Sequence, residues 1–83
     1  MSTKILVVDD DLNICEMLRL YFENEGYEVK CAADGAEGVT FFKMYEPDLV
    51  LLDIMLPKKD GFQVCHEIRE ISSKPVIMVT AKG

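Results

Sequence analysis

The sequence predicts an α/β fold in which helices cover both faces of a parallel sheet, and two features carry that prediction. Apolar runs rich in Val, Ile and Leu stand at Ile5-Leu6-Val7-Val8, Leu49-Val50-Leu51-Leu52 and Val76-Ile77-Met78-Val79. Short unbroken runs of this kind suit strands buried on both faces. The stretches between them carry apolar residues at helical spacing, so the order reads βαβαβαβ. Such alternation implies right-handed crossovers between parallel strands.

Each element has its own signals. After the first run, Asp11 suits a helix N-cap, and Ile14, Met17, Leu18, Tyr21 and Phe22 recur at the spacing of an amphipathic stripe before Gly26 stops the helix. Tyr27, Val29 and Cys31 then alternate with Glu28 and Lys30, a half-buried strand near a sheet edge. Asp34 and Glu37 have capping-box spacing and open a second helix that turns Val39 and Phe42 inward. Gly38 inside it costs about 1 kcal/mol relative to Ala. Pro47 closes that unit before the Leu49 strand. Asp60 and Gln63 repeat the capping signature, with Phe62, Cys65 and Ile68 as the inner face of a third helix and Val64 and Ile71 as further members. Ser72-Ser73-Lys74-Pro75 turns the chain into the last strand.

Composition narrows the function classes. Eighty-three residues allow one domain at most, and a chain near this size buries only a little more than roughly 60% of its surface, so stability is marginal. A hydrophobic content of 49% with 29% charged residues fits a globular protein rather than a disordered one. The net charge of -6 argues against unaided nucleic-acid binding, which needs a Lys/Arg surplus, and favours a cation site. No run approaches the roughly 20 apolar residues of a membrane span, and the start is too short for a secretory signal, so the chain reads as cytoplasmic and without membrane contact. Cys15, Cys31 and Cys65 are widely spaced, lack a CxxC-like cluster, and read as reduced core residues. His66, the single histidine, reads as a surface residue.

The three apolar runs end in polar residues suited to phosphate chemistry: Asp9-Asp10-Asp11, Asp53 and Thr80. Open α/β sheets place their sites at the carboxyl ends of their strands. Carboxylates brought together there repel unless a cation or a proton joins them, and hard oxygen donors of this kind suit Mg²⁺. Asp53 is then available as a carboxylate nucleophile, and Thr80 can offer its hydroxyl to a phosphoryl oxygen. Taken singly, Asp11 is a cap, Asp53 a loop acid, Thr80 a strand residue and Lys58-Lys59 a solvated pair. Their coincidence at equivalent strand ends is what points to a site.

The segments Ile5-Leu6-Val7-Val8-Asp9-Asp10-Asp11, Leu49-Val50-Leu51-Leu52-Asp53-Ile54-Met55-Leu56-Pro57, Asp60-Gly61 and Pro75-Val76-Ile77-Met78-Val79-Thr80-Ala81 together resemble the receiver domain of bacterial two-component response regulators. The resemblance runs through the chain and implies a flavodoxin-like doubly wound sheet of strand order 2-1-3-4-5. It implies Asp53 as phosphoacceptor, Asp10 as direct Mg²⁺ ligand, Asp9 acting on the metal through water, and the Met55 carbonyl as a further ligand. Thr80 becomes the switch hydroxyl with Ala81 leaving room beside it, while Pro57 and Asp60-Gly61 shape the loop. The implied donor is a phosphohistidine on a sensor histidine kinase, which makes the domain a regulatory phosphoacceptor rather than an enzyme.

Receivers continue with a helix, a fifth strand bearing a lysine, a switch aromatic and a last helix. Residues 1–83 are therefore expected to be the N-terminal portion of the domain, truncated after the fourth strand, with Lys82 too close to Thr80 to replace that lysine. The apolar last strand would then form an edge through which two copies could pair as a homodimer. The segments look most like receivers joined to a winged-helix DNA-binding domain, so DNA is an expected partner through an effector. The competing readings are a receiver-like interaction module without phosphorylation, an aspartate-nucleophile phosphatase, which lacks its Asp-x-Asp here, and a flavin carrier, whose phosphate the acidic triplet would repel.

Overall fold

A computed structural model describes residues 2–56 and 60–79; the roles expected of Pro57, Lys58, Lys59, Thr80, Ala81 and Lys82 lie outside the described residues. The chain runs β1 (Lys4–Val8), α1 (Leu12–Asn24), β2 (Glu28–Ala32), α2 (Gly35–Tyr45), β3 (Leu49–Asp53), α3 (Gly61–Ile71) and β4 (Val76–Val79). The strands form one parallel sheet in the order β2-β1-β3-β4, the expected flavodoxin-like arrangement.

The unbroken apolar runs are explained by which face each residue serves. Ile5 and Val7 of β1 pack with Cys15, Leu18, Phe22, Val29, Cys31, Leu49 and Leu51 beneath α1. Leu6 and Val8 point the other way, into a core with Val39, Phe42, Val50, Leu52, Val64 and Ile68 beneath α2 and α3. All four apolar residues of β1 are essentially inaccessible, as a strand covered on both faces requires. β2 and β4 are the outer strands, and Ile77 and Val79 of β4 are exposed.

The helix starts follow the capping chemistry. Asp11 accepts from the backbone N–H groups of Asn13 and Ile14, Asp34 from Glu37, and Asp60 from Gln63. Glu37 reaches back to the N–H of Ala33, one residue before the cap that a standard capping box would serve. Gly26, at φ 95°, makes the turn after α1. Gly38 has a packing reason: a Cβ there would lie 3.0 Å from both Val8 methyl groups. The helix gives up about 1 kcal/mol of propensity and gains close contact with the central strand.

Three expectations need correction. In α1, Met17 and Tyr21 are both 61% exposed, and the buried stripe is Cys15, Leu18 and Phe22. In α3, Phe62 and Ile71 are exposed, and the inner face is Gly61, Val64 and Ile68 with Cys65 half-buried. Both helices carry apolar residues over much of their circumference, so spacing alone does not choose the arc that meets the sheet. Thirdly, Cys15 and Cys31 are not separate thiols but are joined in a disulfide, with Cα atoms 6.2 Å apart. They are 16 residues apart in sequence, and only the packing of α1 across β2 brings them together.

The α3 assignment has a direct consequence for stability. Ile68→Ala removes a fully buried side chain and is expected to cost about 2–4 kcal/mol, whereas Phe62→Ala should fall within about 0.5 kcal/mol. Urea denaturation of the two variants measures the difference.

Candidate acidic phosphoryl site

The β1–β3 register sets the site. Val8 pairs with Leu52, so the residues that follow each strand emerge side by side at one sheet edge. Asp9 stays tied to the sheet, because its N–H donates to the Ala32 carbonyl at 3.0 Å. Its side chain is only 5% exposed, and Oδ1 accepts the Asp11 N–H at 2.8 Å. Asp11 is turned away as the α1 cap, and Asp10, between them, is exposed. Asp53 closes β3, paired with Val79, and is 4% exposed; its Oδ1 accepts the Met55 N–H at 3.1 Å.

One carboxylate oxygen from each of Asp9, Asp10 and Asp53 lies within 4.8 Å of the others. Burial pushes the Asp9 carboxyl above its ordinary range, the Asp11 N–H opposes the shift, and the charges of Asp53, Asp10 and Asp11 add to it. The donor set is all hard oxygen, which fits Mg²⁺. Ligands at 2.0–2.1 Å around one octahedral ion lie about 3–4 Å apart, so only a small contraction would bring the three into one shell.

The loop after Asp53 is held by its backbone. Ile54 N–H donates to the Val79 carbonyl at 3.0 Å, and Gly61 N–H donates to the Ile54 carbonyl at 3.1 Å. A Cβ on Gly61 would sit 2.7 Å from the Asp53 carbonyl oxygen and 2.8 Å from Ile54 Cα. Both obstacles are backbone, so glycine is required there. The structure thus brings Asp9, Asp10 and Asp53 together and sets Met55 beside them through its N–H. The expected Thr80 lies outside the described residues. Sequence reasoning did not find the Ala32 carbonyl that anchors Asp9, since a backbone acceptor has no side-chain signature.

The fold and this acid cluster define a signalling receiver. The chain matches the response regulator receiver domain over residues 5–83 and belongs to that family. It is similar to the BeF3-activated N-terminal receiver domain of Klebsiella pneumoniae RstA, with 32% identity, 98% of this chain and 69% of that one covered, and a TM-score of 0.92. Vibrio cholerae chemotaxis protein CheY4 matches with 30% identity, 100% and 72% coverage, and a TM-score of 0.94. The Borrelia burgdorferi CheX-CheY-BeF3-Mg²⁺ complex matches with 36% identity, 98% and 63% coverage, and a TM-score of 0.89. The chain therefore spans about two thirds of the length of these solved chains. Among the described residues, no helix is long and apolar enough to cross a membrane.

Two outcomes follow from the local geometry. Gly61→Ala should destabilise by about 2–3 kcal/mol, because neither obstacle can rotate away; a urea titration reads it. For Asp9, the folded state binds the proton more tightly than the unfolded one. Its destabilising effect is therefore complete above the raised folded value, fades as pH falls, and is gone below the ordinary aspartate value of about 4. In chelator-treated buffer, Asp9→Asn should melt above the parent protein at pH 7, with the gap closing as pH falls towards 4; a constant gap would contradict the burial argument.

Proposed function

We propose that this receiver takes a phosphoryl group on Asp53 from the phosphohistidine of a sensor histidine kinase, with Mg²⁺ held by the carboxylates of Asp9, Asp10 and Asp53 and the backbone of Met55. The observation that carries the reading is the meeting of three carboxylates at the ends of β1 and β3, with Asp53 at the floor of the cleft. Relatives described in a BeF3-activated form and with Mg²⁺ support it.

The chemistry asked of the chain is limited. Hydrogen bonding of Asp53 Oδ1 by the Met55 N–H fixes the plane of the carboxylate. An Asp53 oxygen attacks phosphorus in line, the phosphorus–nitrogen bond breaks, and the imidazole leaves with the bonding electrons and takes a proton from solvent. When bound, Mg²⁺ offsets the charge of the acids and of the incoming phosphoryl oxygens. Asp9 and Asp10 give the metal its site, and the buried Asp9 also ties that site to the start of α1 through Asp11. The Thr80 hydroxyl would meet a phosphoryl oxygen as the switch contact. In the intact protein the phosphorylated state would set the output of an attached effector, of the DNA-binding kind that the sequence resembles.

Incubation of the protein with a small acyl phosphate and Mg²⁺ should give one phosphoryl addition that hydroxylamine removes. An addition of equal size in Asp53→Asn would defeat the assignment. Divalent-metal titration should show a greater loss of affinity for Asp10→Asn than for Asp9→Asn, since Asp9 already commits one oxygen to the Asp11 N–H. Equal losses would contradict that ranking.

A further inference from the structure

Outside the acid cluster, the feature with the most chemistry is the Cys15–Cys31 pair. Cys15, in the first turn of α1, is 2% exposed. Cys31 lies on the outer strand β2, is half-buried, and lines a surface groove with Glu23, Tyr27 and Val29. Their Cα separation of 6.2 Å lies inside the range that a disulfide spans without backbone movement, about 4.4–6.8 Å. The third cysteine, Cys65, packs against the opposite core, which keeps it out of exchange with the pair.

We infer that Cys15 and Cys31 are a reversible thiol–disulfide pair that fastens α1 to β2 behind the acidic loop. In a reducing compartment a disulfide is usually transient and redox-sensing rather than a permanent staple. The asymmetry of the pair suits that use, with Cys31 half-buried on an outer strand and lining the groove, and Cys15 sheltered. Oxidation by a low-molecular-weight disulfide proceeds in two exchanges. The Cys31 thiolate attacks one sulfur of the small disulfide and expels the first small thiol. The Cys15 thiolate then attacks the Cys31 sulfur of the mixed disulfide and expels the second. The protons of the two cysteines end on the two small thiols, so the protein is oxidised by two electrons and the small disulfide is reduced by two.

The crosslink joins the two segments that hold Asp9. Cys15 N–H donates to the carbonyl of Asp11, whose own N–H binds Asp9 Oδ1. Cys31 precedes Ala32, whose carbonyl accepts the Asp9 N–H. The inference is independent of phosphoryl transfer.

The test exposes the reduced protein to oxidised glutathione, blocks free thiols with an alkylating agent, and maps tryptic peptides. The expected result is peptide 5–19 linked to peptide 31–43, alkylation at Cys65, and a melting temperature at least about 5 °C above that of the reduced form. Dithiothreitol should return the folded protein to the reduced state. Cys31→Ser and, separately, Cys15→Ser should abolish both the link and the shift, while Cys65→Ser should leave both unchanged. Alkylated Cys15 and Cys31 after oxidation, a link to Cys65 or between molecules, a link without a melting shift, or one that dithiothreitol leaves in place would each overturn the inference.

Discussion

The parallel pairing of β1 with β3 is the constraint on which the rest of the molecule depends. It sends the first crossover, with α1, to one face of the sheet and the later helices, α2 and α3, to the other. Where two such crossovers part, no helix closes the sheet edge, and a crevice is left at the carboxyl ends of the two strands. The residues next in the chain fall into that crevice by register alone: Asp9 after Val8, and Asp53 after Leu52. The site is thus a consequence of the sheet topology, and its side chains need no loop of their own to bring them together.

That placement works against stability. Asp9 and Asp53 are nearly buried and share their surroundings with Asp10, so in the absence of a cation the fold holds like charges close in a poorly hydrated place. The backbone supplies part of the compensation. Each buried acid accepts an N–H from the residue two positions on, Asp11 to Asp9 and Met55 to Asp53. These bonds hold each side chain in one orientation as well as stabilising its charge. A divalent cation held at this cluster would offset that repulsion, and its binding and folding would favour one another by mass action.

The strands and the acids at their ends were legible because each rests on a local or strictly periodic signal, whereas the order of the strands in the sheet followed only from the resemblance to receivers. An apolar run of four residues has few ways to be buried, and a parallel sheet aligns the ends of its strands. The helix faces were less legible. Met17, Tyr21, Phe62 and Ile71 are apolar and correctly spaced, yet exposed, while Cys15 and Gly61 meet the sheet. Helical period defines a stripe only when the rest of the surface is polar, and α1 and α3 do not meet that condition. The Cys15–Cys31 pairing was hidden for a different reason: its separation in sequence reflects the length of α1 and the turn after it, and nothing in that spacing distinguishes contact from distance.

Two glycines show how the core and the site are linked mechanically. At Gly38 the missing side chain lets α2 settle against Val8, the residue immediately before Asp9. At Gly61 it lets the start of α3 press against the backbone of Asp53 and Ile54. At Gly61 the helix therefore bears directly on the backbone of a strand end that carries a site acid, whereas α2 meets β1 through the Val8 side chain. Close-packed contacts of this kind transmit displacement instead of damping it. A change in charge or position at Asp53 would be felt first by the start of α3 through Gly61, whereas the start of α1 meets Asp9 through the hydrogen bond from the Asp11 N–H. The stiffest route out of the site, on these contacts, runs along the β3–α3 connection.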